Sequence, residues 1–153
     1  MKINYATASD FDAWISLASK VEHLFGPMAD EISFHKALKQ ALSDKTAFCI
    51  LSEEIEHDQT LKGGIVISRA SNEIVWFAVS GACRGKGYGQ ALLRFAINQL
   101  NIKKSIFVQT FDKTVDEGRA ARKLYEKFGF TDYEKGEMNP AGVPTVIMER
   151  PIS

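Results

Sequence analysis

The residues whose types and spacing could do chemistry are concentrated in one stretch, Val79-Ser80-Gly81-Ala82-Cys83-Arg84-Gly85-Lys86-Gly87-Tyr88-Gly89-Gln90. It follows an apolar run and opens an amphipathic one. Glycines at 85, 87 and 89 allow the backbone to come close to a ligand. The first free N–H groups of a following helix, at the positive end of its dipole, favour a phosphate. Arg84 and Lys86 add positive charge. Two phosphate loops fail against this stretch. A dinucleotide fingerprint G-x-G-x-x-G requires glycine where Gln90 or Leu92 stands. A P-loop requires one more residue between Gly81 and Gly85-Lys86, and Ser or Thr where Gly87 stands. What remains is Arg84-x-x-Gly87-x-Gly89, a pattern that by itself also suits a glycine-rich turn serving only chain reversal.

Other reactive side chains are scattered. Tyr125 lies on a helix whose apolar stripe is Ala121, Leu124 and Phe128, closed by Gly129 as a left-handed cap and Phe130 as the contact after it. Cys49 sits inside an apolar run and Cys83 beside the glycine loop. Neither metal spacing nor a disulfide framework is indicated, and both are expected to be reduced thiols. His23, His35 and His57 share no spacing, so no metal site is expected. Arg119, Arg122, Lys123 and Lys127 form a basic helix surface, solvated or, for one or two of them, within reach of a ligand phosphate.

The elements that must hold these residues follow from periodicity. Ile3 to Ala6 reads as a short strand, and Ser9 with Asp12 has the spacing of a capping box. Trp14, Leu17, Ala18, Val21, Leu24 and Phe25 form the stripe of one helix, stopped by Gly26-Pro27. Phe34, Ala37, Leu38 and Ala41 mark a second helix, ending at Ser43-Asp44-Lys45. Three strands follow at 46–52, 61–68 and 73–79. Then come a helix at 88–100, a strand at 105–110, a helix at 119–128 and strands at 131–133 and 145–149. This order predicts an α/β fold: a mixed, mostly antiparallel sheet of about six to seven strands, with helices on both faces and one parallel step from Glu73 to Thr110. Its 153 residues suit a single domain spanning 1–153.

Arg84-Gly85-Lys86-Gly87-Tyr88-Gly89, followed by Ala91-Leu92-Leu93, resembles the R/Q-x-x-G-x-G/A signature of the GNAT-family N-acetyltransferases. Ala121-Arg122-Lys123-Leu124-Tyr125-Glu126-Lys127-Phe128-Gly129-Phe130 resembles that family's later A-x-x-L-Y-x-x-x-G-F block. The resemblance covers Glu73 to Phe130 and implies a GNAT fold whose central parallel strands splay apart. It further implies acetyl-CoA as cosubstrate, coenzyme A as product and no metal. The coenzyme would be held by Phe77, Val79, Arg84, Gly85, Lys86, Gly87, Tyr88, Gly89 and Gln90. Tyr125 would serve the departing thiolate. Glu73-Ile74-Val75-Trp76-Phe77-Ala78-Val79 is similar to the strand that carries the general-base glutamate in the family's histone acetyltransferases, which makes Glu73 the expected base and Asp112 its alternative.

The implied activity is transfer of an acetyl group from acetyl-CoA to a primary amine, with a small-molecule acceptor expected ahead of a protein one. The alternatives are a protein lysine or N-terminal acetyltransferase and a catalytically silent acyl-CoA-binding module on the same fold. Acceptor identity is expected to reside in the segments 22–34 and 134–144, where Phe25, Met28 and Phe34 suit core packing ahead of an apolar wall, and Glu22 and Glu31 suit ordinary surface charge ahead of the attraction for a cationic amine. Nineteen basic side chains balance nineteen acidic ones, which gives no electrostatic reason to expect nucleic acid or a membrane surface as partner. No apolar stretch reaches the length of a transmembrane span or signal h-region, so a cytoplasmic location is expected. A homodimer is left open.

Overall fold

The computed structural model describes residues 2–51, 61–81 and 85–152. Seven strands form one sheet in the order β1-β2-β3-β4-β5-β7-β6. They are β1 (Asn4–Tyr5), β2 (Ala47–Leu51), β3 (Leu61–Ser68), β4 (Glu73–Val79), β5 (Ile106–Phe111), β6 (Thr131–Lys135) and β7 (Thr145–Arg150). All neighbours are antiparallel except β4 and β5. Among the described residues the α-helices are α1 (Phe11–Lys20), α2 (Glu22–Phe25), α3 (Ile32–Asp44), α4 (Tyr88–Gln99) and α5 (Arg119–Lys127). The expected mixed sheet with its single parallel step is present.

Helices cover both faces because the strands bury apolar residues on both. Phe48, Ile65, Ile67 and Ile74 pack with Leu92, Leu93 and Ala96 of α4 and Tyr125 of α5. On the other face, Ala47, Cys49 and Trp76 pack with Trp14 and Leu17 of α1 and Leu38 and Ala41 of α3. Two adjacent glycines let both layers approach β3. A Cβ on Gly63 would fall 2.8 Å from Leu92 Cδ1, and one on Gly64 would fall 2.7 Å from the Trp14 ring.

Two details of the N-terminal helices differ from expectation. The capping box is Thr7 with Asp10, not Ser9 with Asp12: the Thr7 N–H donates to Asp10 Oδ2 at 2.8 Å, and a 3₁₀ turn precedes α1. The single stripe from Trp14 to Phe25 is broken at Val21 (φ −113°, ψ 8°), whose N–H reaches back only to the Ala18 carbonyl. A tightened i→i−3 bond of this kind ends the α-helical ladder, and α2 begins separately at Glu22.

β4 and β5 pair only at their beginnings, Glu73 with Phe107 and Ile74 with Val108. β3 nonetheless follows β4 to Val79, and β7 follows β5 to Phe111. The two central strands are therefore held on their outer sides while their inner edges part. The parting begins at a β-bulge. Val66 pairs with Trp76 and Ile67 with Ile74, so Val75 is the extra residue on β4. A bulge reverses the alternation of faces. Ile74 accordingly packs towards α4, and Trp76 towards α1 and α3.

The closed end of the pair is fastened by Asn72, a buried residue at φ 54°. Its Nδ2 donates to the carbonyls of Asn101 (3.0 Å) and Ser105 (2.9 Å), and its Oδ1 accepts from the Asn101 N–H at 2.8 Å. Asparagine tolerates the left-handed region better than most side chains. Asn72→Ala should cost about 3 kcal/mol of stability or more, from three hydrogen bonds near 1 kcal/mol each and from alanine at φ 54°. Asn72→Gly, which loses the same hydrogen bonds without that backbone cost, should be less destabilised than Asn72→Ala. Urea unfolding midpoints measure both; a wild-type midpoint in Asn72→Ala would show that this fastening carries no stability.

Candidate active site

The parted strands open a cleft of about 620 Å³, within the usual size of a small-molecule site. It is lined along one strand by Ile74 to Val79 and along the other by Val108 to Phe111. At one end lie Gly85, Gly87, Tyr88, Gly89 and Gln90; at the other, Val21, Leu24, Phe25, Asn139 and Pro140. Since each strand lacks a ladder partner on its inner side along this stretch, that backbone edge is open to hydrogen-bond a ligand.

The glycine loop meets the cleft through α4. Gly85 (φ 78°) and Gly87 (φ 85°), the N-cap of α4, occupy the left-handed region, and a Cβ on either would touch nothing within 4 Å. Their requirement is conformational. Gly89 differs: a Cβ there would lie 3.3 Å from Leu124 and 3.5 Å from Phe77, so it sets how closely α4 packs on α5 and β4. The first helical N–H groups stand at the end of the cleft with an N-terminal dipole behind them. Lys127 Nζ donates to Gln90 Oε1 at 2.8 Å, which brings a second lysine to the same end. Lys62 Nζ reaches the Tyr88 hydroxyl at 3.1 Å and sits 5.0 Å from its ring centre. Arg84 and Cys83 lie outside the described residues, as does His57.

Tyr125 lines the cleft between Phe77 and Phe130, with ring centres 6.1 and 5.6 Å apart and both contacts edge-on. The end of α5 locks it in place. The Phe130 N–H bonds the Tyr125 carbonyl (3.1 Å) and the Gly129 N–H that of Glu126 (3.0 Å), with Gly129 at φ 94°. This is the Schellman arrangement, and it buries Phe130 to 1% exposure against the tyrosine ring. The Tyr125 hydroxyl has no hydrogen-bond partner among the described residues. Burial pushes its phenol above the ordinary value of 10.0, so it stays protonated across neutral pH.

Phe77, Val79, Gly85, Gly87, Tyr88, Gly89, Gln90 and Tyr125 thus come together, while Lys86 is exposed and does not line the cleft. Glu73 does not line the cleft. It stands at the closed end of the strand pair, one residue before the lining Ile74, and its Oε1 accepts from the Ser71 hydroxyl at 2.7 Å. Asp112 also stays outside, in a turn where hydrogen bonds from the Thr114 hydroxyl and N–H hold its carboxyl below the ordinary value. Among the described lining residues the one carboxylate is Glu117, in the 3₁₀ turn that leads into α5. No motif marks it in the sequence.

Remaining groups have structural partners. Cys49 is fully buried, and burial raises its thiol to about 12. Arg122 is committed to Asp132 at 3.0 Å, and Arg119 to Asp116 at 3.1 Å. Among the described residues no cluster of His, Cys, Asp or Glu could hold a metal ion, and no helix is long and apolar enough to cross a membrane.

The two segments expected to control the acceptor meet across the far end. Asn139 Nδ2 donates to the Leu24 carbonyl at 2.8 Å, and Pro140 packs on Gly26, where a Cβ would fall 2.5 Å from its own. Phe34 packs on Trp76, and Met28 accepts the Trp76 indole N–H through sulfur at 3.4 Å. Glu22 is engaged with the Ala29 N–H (2.9 Å) and does not line the cleft.

A family model for the acetyltransferase (GNAT) domain matches residues 44–132, from the end of α3 into β6. This chain belongs to the GNAT acetyltransferase family. No curated protein matches the sequence significantly. Solved structures of similar fold are numerous. A ribosomal-protein-S18-alanine N-acetyltransferase from Escherichia coli is 19% identical with TM-score 0.72, covering 99% of this chain and 94% of that one. A chain of the NatC complex bound to Gag peptide and CoA is also 19% identical with TM-score 0.72, covering 100% of both. A GNAT-family acetyltransferase from Bacillus cereus is 16% identical with TM-score 0.66, covering 99% and 97%. At these identities they establish a shared fold.

Proposed function

We propose that this GNAT acetyltransferase moves the acetyl group of acetyl-CoA directly to a primary amine, a small molecule ahead of a protein. The observation that carries this reading is a continuous cleft from the N-terminus of α4, along two unpaired strand edges, to the hydroxyl of Tyr125. Each part suits a portion of acetyl-CoA. The N–H groups at Tyr88 to Gln90, with Lys86 and Lys127 nearby, suit a pyrophosphate. The open edges beside Phe77 and Val79 suit the amides of a pantetheine arm, whose burial would otherwise be costly. One relative of the same fold was solved with CoA.

Tyr125 then acts where charge appears. As the amine nitrogen bonds to the thioester carbonyl carbon and the C–S bond breaks, the electron pair leaves on sulfur. The Tyr125 hydroxyl, protonated and without a protein partner, donates to that sulfur. A phenol that burial keeps protonated can hydrogen-bond a thiolate of ordinary pKa ~8.5 as it forms. Glu73 takes the acceptor's proton through water, since its carboxylate stands behind Ile74; Glu117 is the competing base.

The experiment that tests binding is a thermal shift. Acetyl-CoA at ~100 times its Kd should add ~2.7 kcal/mol of stability and raise Tm by about 5 to 10 °C. Gly87→Val, which forces a branched side chain to φ 85° at the N-cap, should abolish the shift; an undiminished shift would remove the loop from the site.

Tyr125→Phe should keep the coenzyme shift while lowering kcat by about 10- to 10³-fold, because its hydroxyl contributes only as charge develops on sulfur. Wild-type turnover would leave Tyr125 with packing alone.

Glu73→Gln should slow transfer at pH 7 by ~10²-fold, with the defect shrinking at higher pH as free amine accumulates. A normal rate and pH profile in Glu73→Gln, with a loss in Glu117→Gln, would transfer the role to Glu117.

A further inference from the structure

The acceptor end of the cleft is walled by rings. Phe25 and Phe111 have centres 5.3 Å apart at 30°, and Phe25 and Trp76 6.5 Å apart at 38°. Leu24, Val21 and Pro140 complete the apolar surface. This wall is fixed from behind. Trp76 is packed by Trp14 (5.5 Å) and Phe34 (6.4 Å), and its N–H is engaged with Met28.

The polar groups at this end are mostly occupied. Asn139 donates to Leu24, while its Oδ1 accepts from the N–H groups of Ala141 (2.9 Å) and Val143 (3.0 Å). Thr145 Oγ1 accepts from Gln109 Nε2 at 2.8 Å and donates to the Glu137 carbonyl. Among the described residues Gln109 Oε1 and the Thr110 hydroxyl are left for an amine. Among the described lining residues the one charged side chain is Glu117, and its neighbour Gly118 packs against Phe111, where a Cβ would fall 2.4 Å from the Phe111 Cβ.

This arrangement discriminates by what it lacks. A polyamine or aminoglycoside would bring several positive charges to a lining whose described residues hold a single carboxylate, and an amino acid would bring a carboxylate to a lining with no cation among the described residues. A buried charge left unpaired is heavily penalised, whereas an uncharged ring gains by leaving water. Building on the proposed transfer reaction, we infer that the acceptor is a primary amine borne next to an uncharged, apolar group of about ring size. Free arylalkylamines and peptide N-termini with an apolar first residue share this chemistry.

The test measures thiol release from acetyl-CoA with phenethylamine, tryptamine, an amidated Phe-initiated tripeptide, spermidine and glutamate. At least one of the first three should exceed spermidine and glutamate in kcat/KM by about 10-fold or more; the amines against the tripeptide tell which source the site takes. Phe25→Ala should reduce that advantage by about 10-fold, and Phe25→Glu should shift preference towards spermidine, both with the acetyl-CoA thermal shift intact as evidence of folding. Preference for spermidine or glutamate, or unchanged selectivity in both variants, would overturn the inference while leaving acetyl transfer standing. No thiol release with any acceptor would overturn the transfer reaction as well.

Discussion

The structure depends on a sheet that is allowed to come apart in its middle. A parallel pair of strands would ordinarily zip along its whole length, because unpaired backbone groups inside a protein are costly. Here pairing stops after Ile74 and Val108, and the sheet survives because the outer neighbours carry the load: β3 runs beside β4 to Val79, and β7 beside β5 to Phe111. The bulge at Val75 bends β4 at the point of departure. Asn72, bonded to both ends of the α4–β5 turn, keeps the seam from running back. The unmade hydrogen bonds become the binding site, since a ligand with its own amides can complete what the strands leave open.

That geometry also explains why the reactive groups sit where they do. The strand whose edge is open leads through the glycine loop to α4, so the N–H groups of the helix face the same cleft as the strand. α5 packs beside α4 with only a glycine between Leu124 and the helix backbone. This close packing brings Tyr125 over Phe77. The cap at Gly129 then fixes the tyrosine ring from below through Phe130. A phenol placed on helix packing and a cap, not on a loop, keeps its position relative to the strand edges when a ligand enters.

Much of this was legible in the residues. The alternation of β-branched runs, the glycine loop and the A-x-x-L-Y block located β3, β4, α4 and α5 to within a residue or two, because each has a local signature. Features that depend on pairing were not legible. The bulge at Val75 exists only relative to Val66 and Ile67, and no periodicity within β4 announces it. Asn72 reads as a solvated start to a strand until the carbonyls of Asn101 and Ser105 are brought to it. The break at Val21 leaves the apolar spacing intact, since Leu24 and Phe25 keep their places in the stripe while the helical ladder stops. Glu117 carries no motif, and it is the cleft, built from distant segments, that gives it a place. Glu73 shows the opposite case: its neighbours in sequence match a known pattern, yet its carboxylate turns out to be held by Ser71 at the closed end.

The division between what the sequence showed and what it did not follows a division of labour in the molecule. The proposed coenzyme site relies on backbone: open strand edges, positive-φ glycines and the first N–H groups of a helix. Such demands restrict residue type at a few fixed spacings, so they leave a pattern in the sequence, within the residues 44–132 that the family model matches. The proposed acceptor wall relies on side chains from α2 and the 136–144 loop, tied together by Asn139 and Pro140. Many sequences could build that wall, and no spacing rule links its two halves, which lie more than a hundred residues apart. What identifies it is three-dimensional: rings converging from Phe25, Trp76 and Phe111 onto the open end of a cleft whose other end is made of amides. The residues proposed for transfer are therefore written in short local motifs, and those proposed to choose the amine in the contact between two loops that only the folded sheet brings within reach.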